Sequence, residues 1–543
     1  MKMSAQVARH VFVAVVLQIL PAASALEGPV KTESGLVAGS GGEVQVFKGI
    51  PYAAPPVGDL RWRPPQAPQP WQGVRQATEF GPACAQPASL MGNFPNQSED
   101  CLTLNVWTPA KKAGQRLPVM VWIYGGGFIQ GATSQPVYSG ESLARQGVVV
   151  VTINYRLGEF GFLAHSRLTA ESPHHSSGNY GLLDQIAALK WVQRNITAFG
   201  GDPKRVTIFG ESAGGASVYL LLVSPLAKGL FQRAIAESGG AVSVPIRHRS
   251  ETWYGYMPAE RLGQALGEDL AALRAKTTAE ILALAGPLGT DLFSDKPAGE
   301  GTQYRPIVDG FVLPDDPEES LDAGRLHNVP LLTGANADEG TLFMLLNPPQ
   351  GRTLGAYRDY VRSRYGESAD RLLALYPAAS DAEVRSALGR LIADSRFLYG
   401  ARSMLRAMAR KNPRVYAYHF TRVSRASGPM RLGAFHAAEI PYVFANLSVP
   451  LSAALGAGPA AYDDRDRALS REMSAAWVRF AATGDPNGPG LPAWPTYKAA
   501  SDQYLEFGDT TQVRSGIRAK ELDFLAEVFT RMRAARRQAP QRQ

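Results

Sequence analysis

One short segment constrains the fold of this chain more than any other part of it. Residues 206–209 read VTIF, a β-branched and aromatic run that is typical of a buried strand. GESAG follows at once at 210–214, and residues 216–223 then have the pattern of a helix. A G-x-S-x-G pentapeptide between a strand and a helix is the context in which a sharp turn raises a serine hydroxyl above a sheet. The segment therefore predicts that Ser212 is presented at the end of a strand.

The two glycines of this pentapeptide have a physical role in such a turn. Positions 210 and 214 are predicted to require glycine, because a larger residue would prevent the strand and helix backbones from approaching each other closely. The alternative is a glycine-rich turn in which Ser212 is inert. That interpretation requires the other features of the chain to be coincidental.

Several fully apolar runs are spaced along the chain, with helical patterns such as 182–196 between them. Continuous hydrophobicity is typical of strands that are buried on both faces. Strands that alternate with helices favour a mostly parallel sheet. The sequence thus predicts an α/β fold with a doubly wound, mostly parallel central sheet. The six runs lie at 119–124, 148–154, 206–209, 233–236, 330–333 and 415–420.

Other parts of the pattern complete this prediction. Residues 44–49 and 102–107 are expected to be earlier strands, with antiparallel pairing as one option. The intervals 243–326 and 341–413 are rich in Leu, Ala, Arg and Glu at helical spacing, so they are predicted to form helical excursions that frame a pocket above the sheet. No linker or repeat divides the rest of the chain, and residues 26–543 are predicted to form a single domain.

The N-terminus has the pattern of a signal peptide. Lys2 and Arg9 precede an apolar run at 11–20, and Ala23-Ser24-Ala25 matches the small-residue cleavage pattern. Residues 1–25 are therefore predicted to be removed, and the protein is predicted to be secreted or periplasmic. The alternative is a membrane anchor, but the run is shorter than the roughly 20 residues that a spanning helix needs. No stable membrane anchor is expected.

The chain is basic, with 56 Lys and Arg against 48 Asp and Glu and a formal net charge of +8. Much of the excess lies in a C-terminal arginine cluster, which is interpreted as a solvated helix end and tail. No nucleic-acid-binding motif accompanies the cluster, so no nucleic-acid partner is predicted. Its members are Arg531, Arg533, Arg536, Arg537 and Arg542.

Cysteine occurs only twice, at Cys84 and Cys101. In an exported protein an even number of cysteines favours a disulfide. Closing a loop of this length should contribute roughly 3 kcal/mol in the chain-entropy model. The alternative is a pair of free, buried thiols.

A serine hydroxyl needs a base to remove its proton, and the base needs an acid to orient it. Asp338 and Glu339 both lie just beyond the predicted strand at 330–333, where the sheet should present its ligand, and spacing does not choose between them. His436 follows the last predicted strand, after a loop, and is the preferred base. His419 lies within that strand and is predicted to be a core residue.

A tetrahedral intermediate also needs hydrogen-bond donors for its oxyanion. YGGGF at 124–128 follows the predicted strand at 119–124, and residues without side chains let backbone N–H groups point at one spot. Gly126 and Gly127, together with Ala213 after the serine, are predicted to supply three donors. A phosphate cradle is discounted because no G-K-[ST] follows. No metal or organic cofactor is predicted.

These motifs resemble those of the type-B carboxylesterases, the cholinesterase-like branch of the α/β-hydrolases, over nearly the whole chain beyond residue 25. The resemblance rests on seven stretches, and together they are highly specific. They are FKGIPYAAPPVGDLRWRPP at 47–65, SEDCLTLNVWTP at 98–109, PVMVWIYGGGF at 118–128, VVVTINYRLGEFGFL at 149–163, GNYGLLDQIAALKWVQRNITAFGGDPKRVTIFGESAGG at 178–215, LLTGANADEG at 331–340 and AFHAAEIPYVF at 434–444.

The resemblance implies an α/β-hydrolase fold and assigns roles residue by residue. Ser212 would be the nucleophile, Glu339 the acid and His436 the base, so the resemblance chooses Glu339 over Asp338. Gly126, Gly127 and Ala213 would again form the oxyanion hole. It further implies the disulfide Cys84–Cys101, the structural ion pairs Arg61–Glu99 and Arg156–Asp184, and a buried acid, Glu211, near His436.

Two departures from the family pattern bear on the substrate. The loop 85–100 contains no Trp or Tyr, whereas cholinesterases place there a ring that binds a quaternary ammonium, so a true cholinesterase is not expected. Residues 241–244 read AVSV without a bulky aromatic, which predicts a roomier acyl side. The leading prediction is an exported serine carboxylesterase acting on a small-molecule ester. A non-catalytic adhesion protein and a lipase or amidase are the alternatives.

Overall fold

The computed structural model describes residues 26, 28–88, 94–240, 246–253, 256–286, 304–346, 353–425, 432–449 and 462–538. The predicted signal peptide at 1–25 and the stretch 241–244 lie outside these residues, so neither prediction is addressed by the fold.

Strands occur throughout the described part of the chain, and most of them belong to one large sheet. In chain order they are β1 Val30–Thr32, β2 Gly35–Ala38, β3 Ser40–Gly41, β4 Gln45–Pro51, β5 Val74–Gln76, β6 Ala83–Cys84, β7 Gln97–Ser98, β8 Thr103–Thr108, β9 Leu117–Ile123, β10 Val149–Ile153, β11 Gly201–Glu211, β12 Arg233–Glu237, β13 Leu331–Asn336, β14 Val415–Phe420, β15 Gln503–Phe507 and β16 Thr511–Ser515.

The large sheet has 11 strands within the described residues, in the order β16-β15-β14-β13-β12-β11-β9-β10-β8-β4-β3. The pairings from β10 through β9 and β11 to β15 are all parallel. The flanking strands β16, β8, β4 and β3 pair antiparallel. The prediction of a mostly parallel central sheet is confirmed, and the two early strands take the antiparallel option.

The parallel strands are apolar along their length because both of their faces are covered. Every residue of β10 and β13 is buried, and β9 is buried beyond its first residue. The helix at Asp464–Thr483 and the helix at Ala213–Val223, which follows the Ser212 turn, both pack on β11 and β9. This burial explains why the sequence shows continuous rather than alternating hydrophobicity.

The α-helices connect and cover these strands. They are α1 Glu141–Ala144, α2 Gly158–Phe162, α3 Ser166–Glu171, α4 Tyr180–Asn195, α5 Ala213–Val223, α6 Ala259–Gln264, α7 Leu270–Ala275, α8 Thr278–Ala285, α9 Pro317–Asp322, α10 Glu339–Leu346, α11 Leu354–Tyr365, α12 Ala369–Leu375, α13 Asp381–Ala393, α14 Tyr399–Ala409, α15 Ile440–Val443, α16 Asp464–Thr483 and α17 Ala519–Gln538.

The predicted helical excursions are present in the described residues. Helices α6 to α9 follow β12, and α10 to α14 follow β13. The second group builds its own hydrophobic cluster with α17, including Tyr357, Leu388 and Phe524. This cluster lies beside the end of β13 and thus next to the residues that follow that strand. None of the helices within the described residues is long and apolar enough to cross a membrane.

The C-terminal arginine cluster is not a solvated tail throughout, so that interpretation is wrong for part of it. Arg533 lies on α17 and forms an ion pair with Glu318 of α9, and the arginine side chain is only 11% exposed. Arg531 donates a hydrogen bond to Ser368. The charge of these arginines therefore contributes to helix packing. Arg542 lies outside the described residues.

Candidate active site

Ser212 lies on a strained turn between β11 and α5. Its backbone has φ 56° and ψ −119°, a conformation that is costly for a residue with a side chain. The backbone N–H of Ser212 donates to the Glu237 carbonyl over 2.9 Å. A Cβ on Gly214 would lie 1.9 Å from the Ile123 carbonyl oxygen, and one on Gly210 2.6 Å from that atom. Both positions therefore need glycine for close approach, as the sequence predicts.

Glu339 and His436 are in direct contact. His436 Nδ1 lies 2.5 Å from Glu339 Oε2, and both side chains are buried. The other carboxylate oxygen, Glu339 Oε1, accepts from the Asn336 backbone N–H over 2.7 Å and from the Ser238 hydroxyl over 2.5 Å. Three donors from different elements thus fix the orientation of this carboxylate, and the carboxylate in turn orients the imidazole.

Asp338, the other acid that spacing allows, has a different role. Its carboxylate accepts from the Ala434 backbone N–H over 2.8 Å, and its own N–H donates to the Ala434 carbonyl over 3.0 Å. Asp338 therefore holds the backbone of the loop that carries His436. His419 is a core residue, as predicted: its Nδ1 contacts the Ala335 carbonyl over 2.9 Å, and burial lowers its pKa.

The imidazole of His436 is enclosed by two aromatic rings and a second acid. The ring centroids of Phe343 and Phe397 lie 5.0 Å and 4.7 Å from that of His436. His436 Nε2 lies 3.2 Å from Glu211 Oε1, which places Glu211 where the family resemblance implies. Phe397 belongs to a single π-helical turn, Asp394–Leu398, which has no signal in the sequence.

Ser212 is close to this assembly but makes no direct hydrogen bond to it. Among the described residues, no hydrogen bond joins the Ser212 hydroxyl to His436. The position that a Cβ on Gly125 would occupy lies 3.0 Å from both Ser212 Cβ and Glu211 Oε2. Glu211 thus adjoins both the serine and the imidazole. Nucleophile–base hydrogen bonds commonly tighten only when substrate is bound.

The glycine loop after β9 has the shape that a donor site requires. Gly126 and Gly127 have φ values of 108° and 66°, which favour glycine. The N–H groups of Ile129 and Gln130 donate back to the Gly126 carbonyl over 3.2 Å and close the loop. In the described part of the chain, no hydrogen bond to a protein acceptor uses the N–H groups of Gly126, Gly127 or Ala213. They can therefore be offered to a ligand.

Three further acids, Glu211, Glu237 and Glu439, are buried in this part of the molecule. Burial, reinforced by repulsion from Glu339 and Glu237, raises the pKa of Glu211 well above its usual value. Burial raises the pKa of Glu237 to about 8 despite a 2.8 Å hydrogen bond from Trp477 Nε1. Burial also raises the pKa of Glu439 strongly. Sequence reasoning missed Glu237 and Glu439, although each lies within three residues of a motif residue, Ser238 or His436.

A disulfide and two buried ion pairs stabilise the N-terminal part of the chain. Cys84 and Cys101 are bonded, with Cα atoms 5.0 Å apart. Arg61 pairs with Glu99 over 2.6 Å, and Arg156 pairs with Asp184 over 2.7 Å. These are the pairs that the family resemblance implies. No group of three or more His, Cys, Asp or Glu within the described ranges is arranged to hold a metal ion.

The sheet order and the strained serine turn define the α/β-hydrolase fold, and solved structures agree. A carboxylesterase of Geobacillus stearothermophilus superimposes with a TM-score of 0.78 at 37% sequence identity. The match covers 92% of this chain and 99% of that enzyme. The predicted fold class is therefore confirmed.

Sequence comparison gives the family. The model of the carboxylesterase family matches residues 26–525. The chain is 44% identical to the fumonisin B1 esterase of Sphingopyxis macrogoltabida, over 89% of this chain and 87% of that one. It is 39% identical to the para-nitrobenzyl esterase of Bacillus subtilis, over 88% of this chain and 94% of that one. The chain belongs to the carboxylesterase family, and it is a carboxylic ester hydrolase.

Proposed function

We propose that the protein is an exported serine esterase that hydrolyses carboxylic esters through Ser212, His436 and Glu339. The observation that carries this proposal is the 2.5 Å contact between His436 Nδ1 and Glu339 Oε2, because Glu339 then engages Nδ1 and not Nε2, the nitrogen that acts as the base. The strained turn places Ser212, which is partly exposed, directly after Glu211 at the end of β11.

In the first half of the reaction, His436 Nε2 takes the proton of Ser212 as the hydroxyl oxygen attacks the ester carbonyl. Glu339 stabilises the imidazolium that forms. The negative charge on the carbonyl oxygen is stabilised by the N–H groups of Gly126, Gly127 and Ala213. The imidazolium then gives its proton to the leaving alcohol, and an acyl-enzyme remains.

In the second half, water replaces the alcohol. His436 removes a proton from this water as it attacks the acyl carbonyl. The bond between the acyl carbon and Ser212 Oγ then breaks, the imidazolium returns the proton to Oγ, and the acid is released. The rings of Phe343 and Phe397 exclude bulk solvent from one side of the imidazole, which strengthens its interaction with Glu339.

Export is part of the proposal. It is supported by the signal-peptide pattern at 1–25, and by the Cys84–Cys101 disulfide, because such bonds persist mainly in oxidising compartments. We further propose a small-molecule ester as the substrate. Because two relatives are named for fumonisin B1 and para-nitrobenzyl esters, these two esters belong in the first substrate panel.

The experiment that tests the proposal is Ser212→Ala. The full chain is expressed with its leader, and the protein recovered from the periplasm or medium should begin near Leu26 by N-terminal sequencing. Hydrolysis of p-nitrophenyl butyrate should fall by about 10⁵-fold or more, since only transition-state binding remains. Labelling by a fluorophosphonate should disappear in parallel.

The unfolding temperature controls for damage to the fold. Substitution by alanine leaves φ positive at residue 212, so the variant should be folded and should differ little from the parent. Undiminished turnover or labelling in a folded S212A protein would contradict the assignment of the nucleophile.

A further inference from the structure

Asn336, the last residue of β13, contacts both the turn that carries Glu339 and the loop that carries His436. Its backbone N–H donates to Glu339 Oε1 over 2.7 Å. Its side-chain nitrogen donates to the carbonyl of Phe435, the residue before His436, over 2.8 Å. The same nitrogen donates to Glu439 Oε2 over 2.5 Å. One fully buried residue therefore connects the acid turn with the loop that carries the histidine.

The orientation of the Asn336 amide is fixed by its neighbours. The Phe435 carbonyl oxygen can only accept, so the atom facing it must be the amide nitrogen. That leaves Asn336 Oδ1, which is buried and has no hydrogen-bond partner. Glu439 Oε1 is also buried and without a partner. The two unsatisfied oxygens belong to two side chains that are already joined through the amide nitrogen and Glu439 Oε2.

A proton on Glu439 Oε1 gives both of these oxygens a hydrogen-bond partner. A carboxylate can only accept, whereas a carboxylic acid can donate one hydrogen bond to an amide oxygen. An acid and an amide in contact can thus exchange two hydrogen bonds, one in each direction. Without this proton both buried oxygens would stay unsatisfied, which destabilises the fold.

We propose that Asn336 is a positioning residue of this esterase. It pairs with a neutral Glu439 and so holds the carboxylate of Glu339 and the imidazole of His436 in the correct relative position. The proposal rests on the proposed function of that acid and base. Asn336 touches neither substrate nor reacting atoms and acts through the two residues that it connects.

The electrostatic surroundings of Glu439 favour its neutral form. It interacts with Tyr138 and Tyr418 and with the carboxyl groups of Glu211, Glu237 and Glu339. Burial comes first among the causes that raise the pKa of Glu439, followed by repulsion from those three carboxyls; the hydrogen bond from Asn336 opposes them. A neutral Glu439 removes one negative charge from this cluster.

The test compares Asn336→Asp and Asn336→Ala with Glu439→Gln and Glu439→Ala. Both changes at Asn336 remove the donor to Phe435, and kcat should fall about 10²-fold because the acid and base lose their alignment, with KM little changed. In E439Q the amide replaces a neutral acid and keeps both hydrogen bonds. Its kcat should stay within about threefold of the parent from pH 6 to 8, while E439A should resemble N336A.

Two controls separate positioning from general loss of stability. Asn105 is an equally buried strand asparagine, whose amide accepts from Gly49 N–H and donates to Thr152. Asn105→Ala should lower the unfolding temperature as much as Asn336→Ala but leave kcat unchanged. A fluorophosphonate labels whichever molecules retain a competent serine, so kcat is expressed per labelled site.

Unchanged kcat in folded N336D and N336A would overturn the inference. Equal loss of kcat in E439Q and E439A would also overturn it, because Glu439 would then be needed as a carboxylate. If S212A is inactive in the same experiments, only this inference fails and the proposed function stands. If S212A retains turnover, the proposed function fails first.

Discussion

Two basic side chains in this molecule are each surrounded by acids, and the two clusters behave in opposite ways. Arg422 pairs with Asp463, Asp466 and Asp509 over 2.6, 2.7 and 2.5 Å. His436 has Glu211 and Glu339 within 3.2 Å and lies three residues before Glu439. The number of carboxyls near each base is similar. Arg422 carries a permanent positive charge, whereas an imidazole such as that of His436 does not.

The consequence is visible in the acids themselves. Burial alone would raise the pKa of Asp466, but hydrogen bonds from Arg422, the Asp463 backbone, Ser424 and Tyr442 lower it below its usual value. Burial raises the pKa of Glu237 to about 8, and the hydrogen bond from Trp477 does not offset this effect. Burial favours the neutral form of an acid, but nearby hydrogen-bond donors and cations can reverse this preference. The Arg422 cluster suits a structural role, and the His436 cluster retains protons near neutral pH.

The largest expected difference between the clusters concerns catalysis. Glu339→Gln keeps the shape of the side chain but removes the charge that stabilises the imidazolium, so kcat should fall about 10³- to 10⁴-fold. Asp466→Asn is the matched change in the other cluster, and it should leave kcat unchanged. Steady-state kinetics with p-nitrophenyl butyrate measures both. Equal kcat for E339Q and the parent would remove Glu339 from the mechanism.

The next effect concerns stability. Arg422→Ala leaves Asp466, whose side chain is fully buried, without its cation, and the free energy of unfolding should fall by about 3–5 kcal/mol. Urea unfolding followed by circular dichroism measures this loss. The control is Arg467→Ala on α16, the helix that carries Asp466, since its partner Asp464 is 99% exposed and no resolvable change is expected. A small effect of R422A would show that the cluster is well hydrated.

The smallest effect concerns pH, where the two clusters should have opposite slopes. Glu237 binds its proton more tightly when folded than its ordinary pKa of 4.5 allows, so stability falls as pH rises from about 5 to 8. Asp466 has a lowered pKa, so its stabilisation is present above pH 3.8 and is lost on further acidification. Glu237→Gln should flatten the neutral slope, and R422A the acidic one. Calorimetric unfolding temperatures between pH 3 and 9 measure both. If E237Q kept the same dependence of unfolding temperature on neutral pH as the parent, a group other than Glu237 would hold the proton.

Much of the fold could be predicted because its signals are local. The apolar runs became β9 to β14 with ends shifted by a few residues, since buried parallel strands need continuous hydrophobicity along their length. The main extension is β11, which begins at Gly201, five residues before the apolar part. Gly201 pairs with Leu117 of β9, and the register then shifts before Val206, which hydrophobicity cannot reveal.

The candidate site was partly predictable for a related reason. Spacing reduced the acid to Asp338 or Glu339, and the family resemblance chose Glu339. The contact with His436 distinguishes the two acids, because Asp338 binds the backbone of Ala434 instead. The surroundings of His436 were not predictable from local pattern. Phe397 comes from a π-helical turn, and it reaches the imidazole only through the packing of the helices that follow β13.

The hydrogen bond from Trp477 to Glu237 gives the buried acids an optical reporter. Trp477 lies on α16 and is fully buried, so its indole is shielded from changes in the solvent itself. When Glu237 ionises, a negative charge appears 2.8 Å from the indole nitrogen, which should alter the fluorescence of that ring. The difference between the emission spectra of the parent and a Trp477→Phe protein therefore follows proton release inside the enzyme, without a substrate and without an added dye.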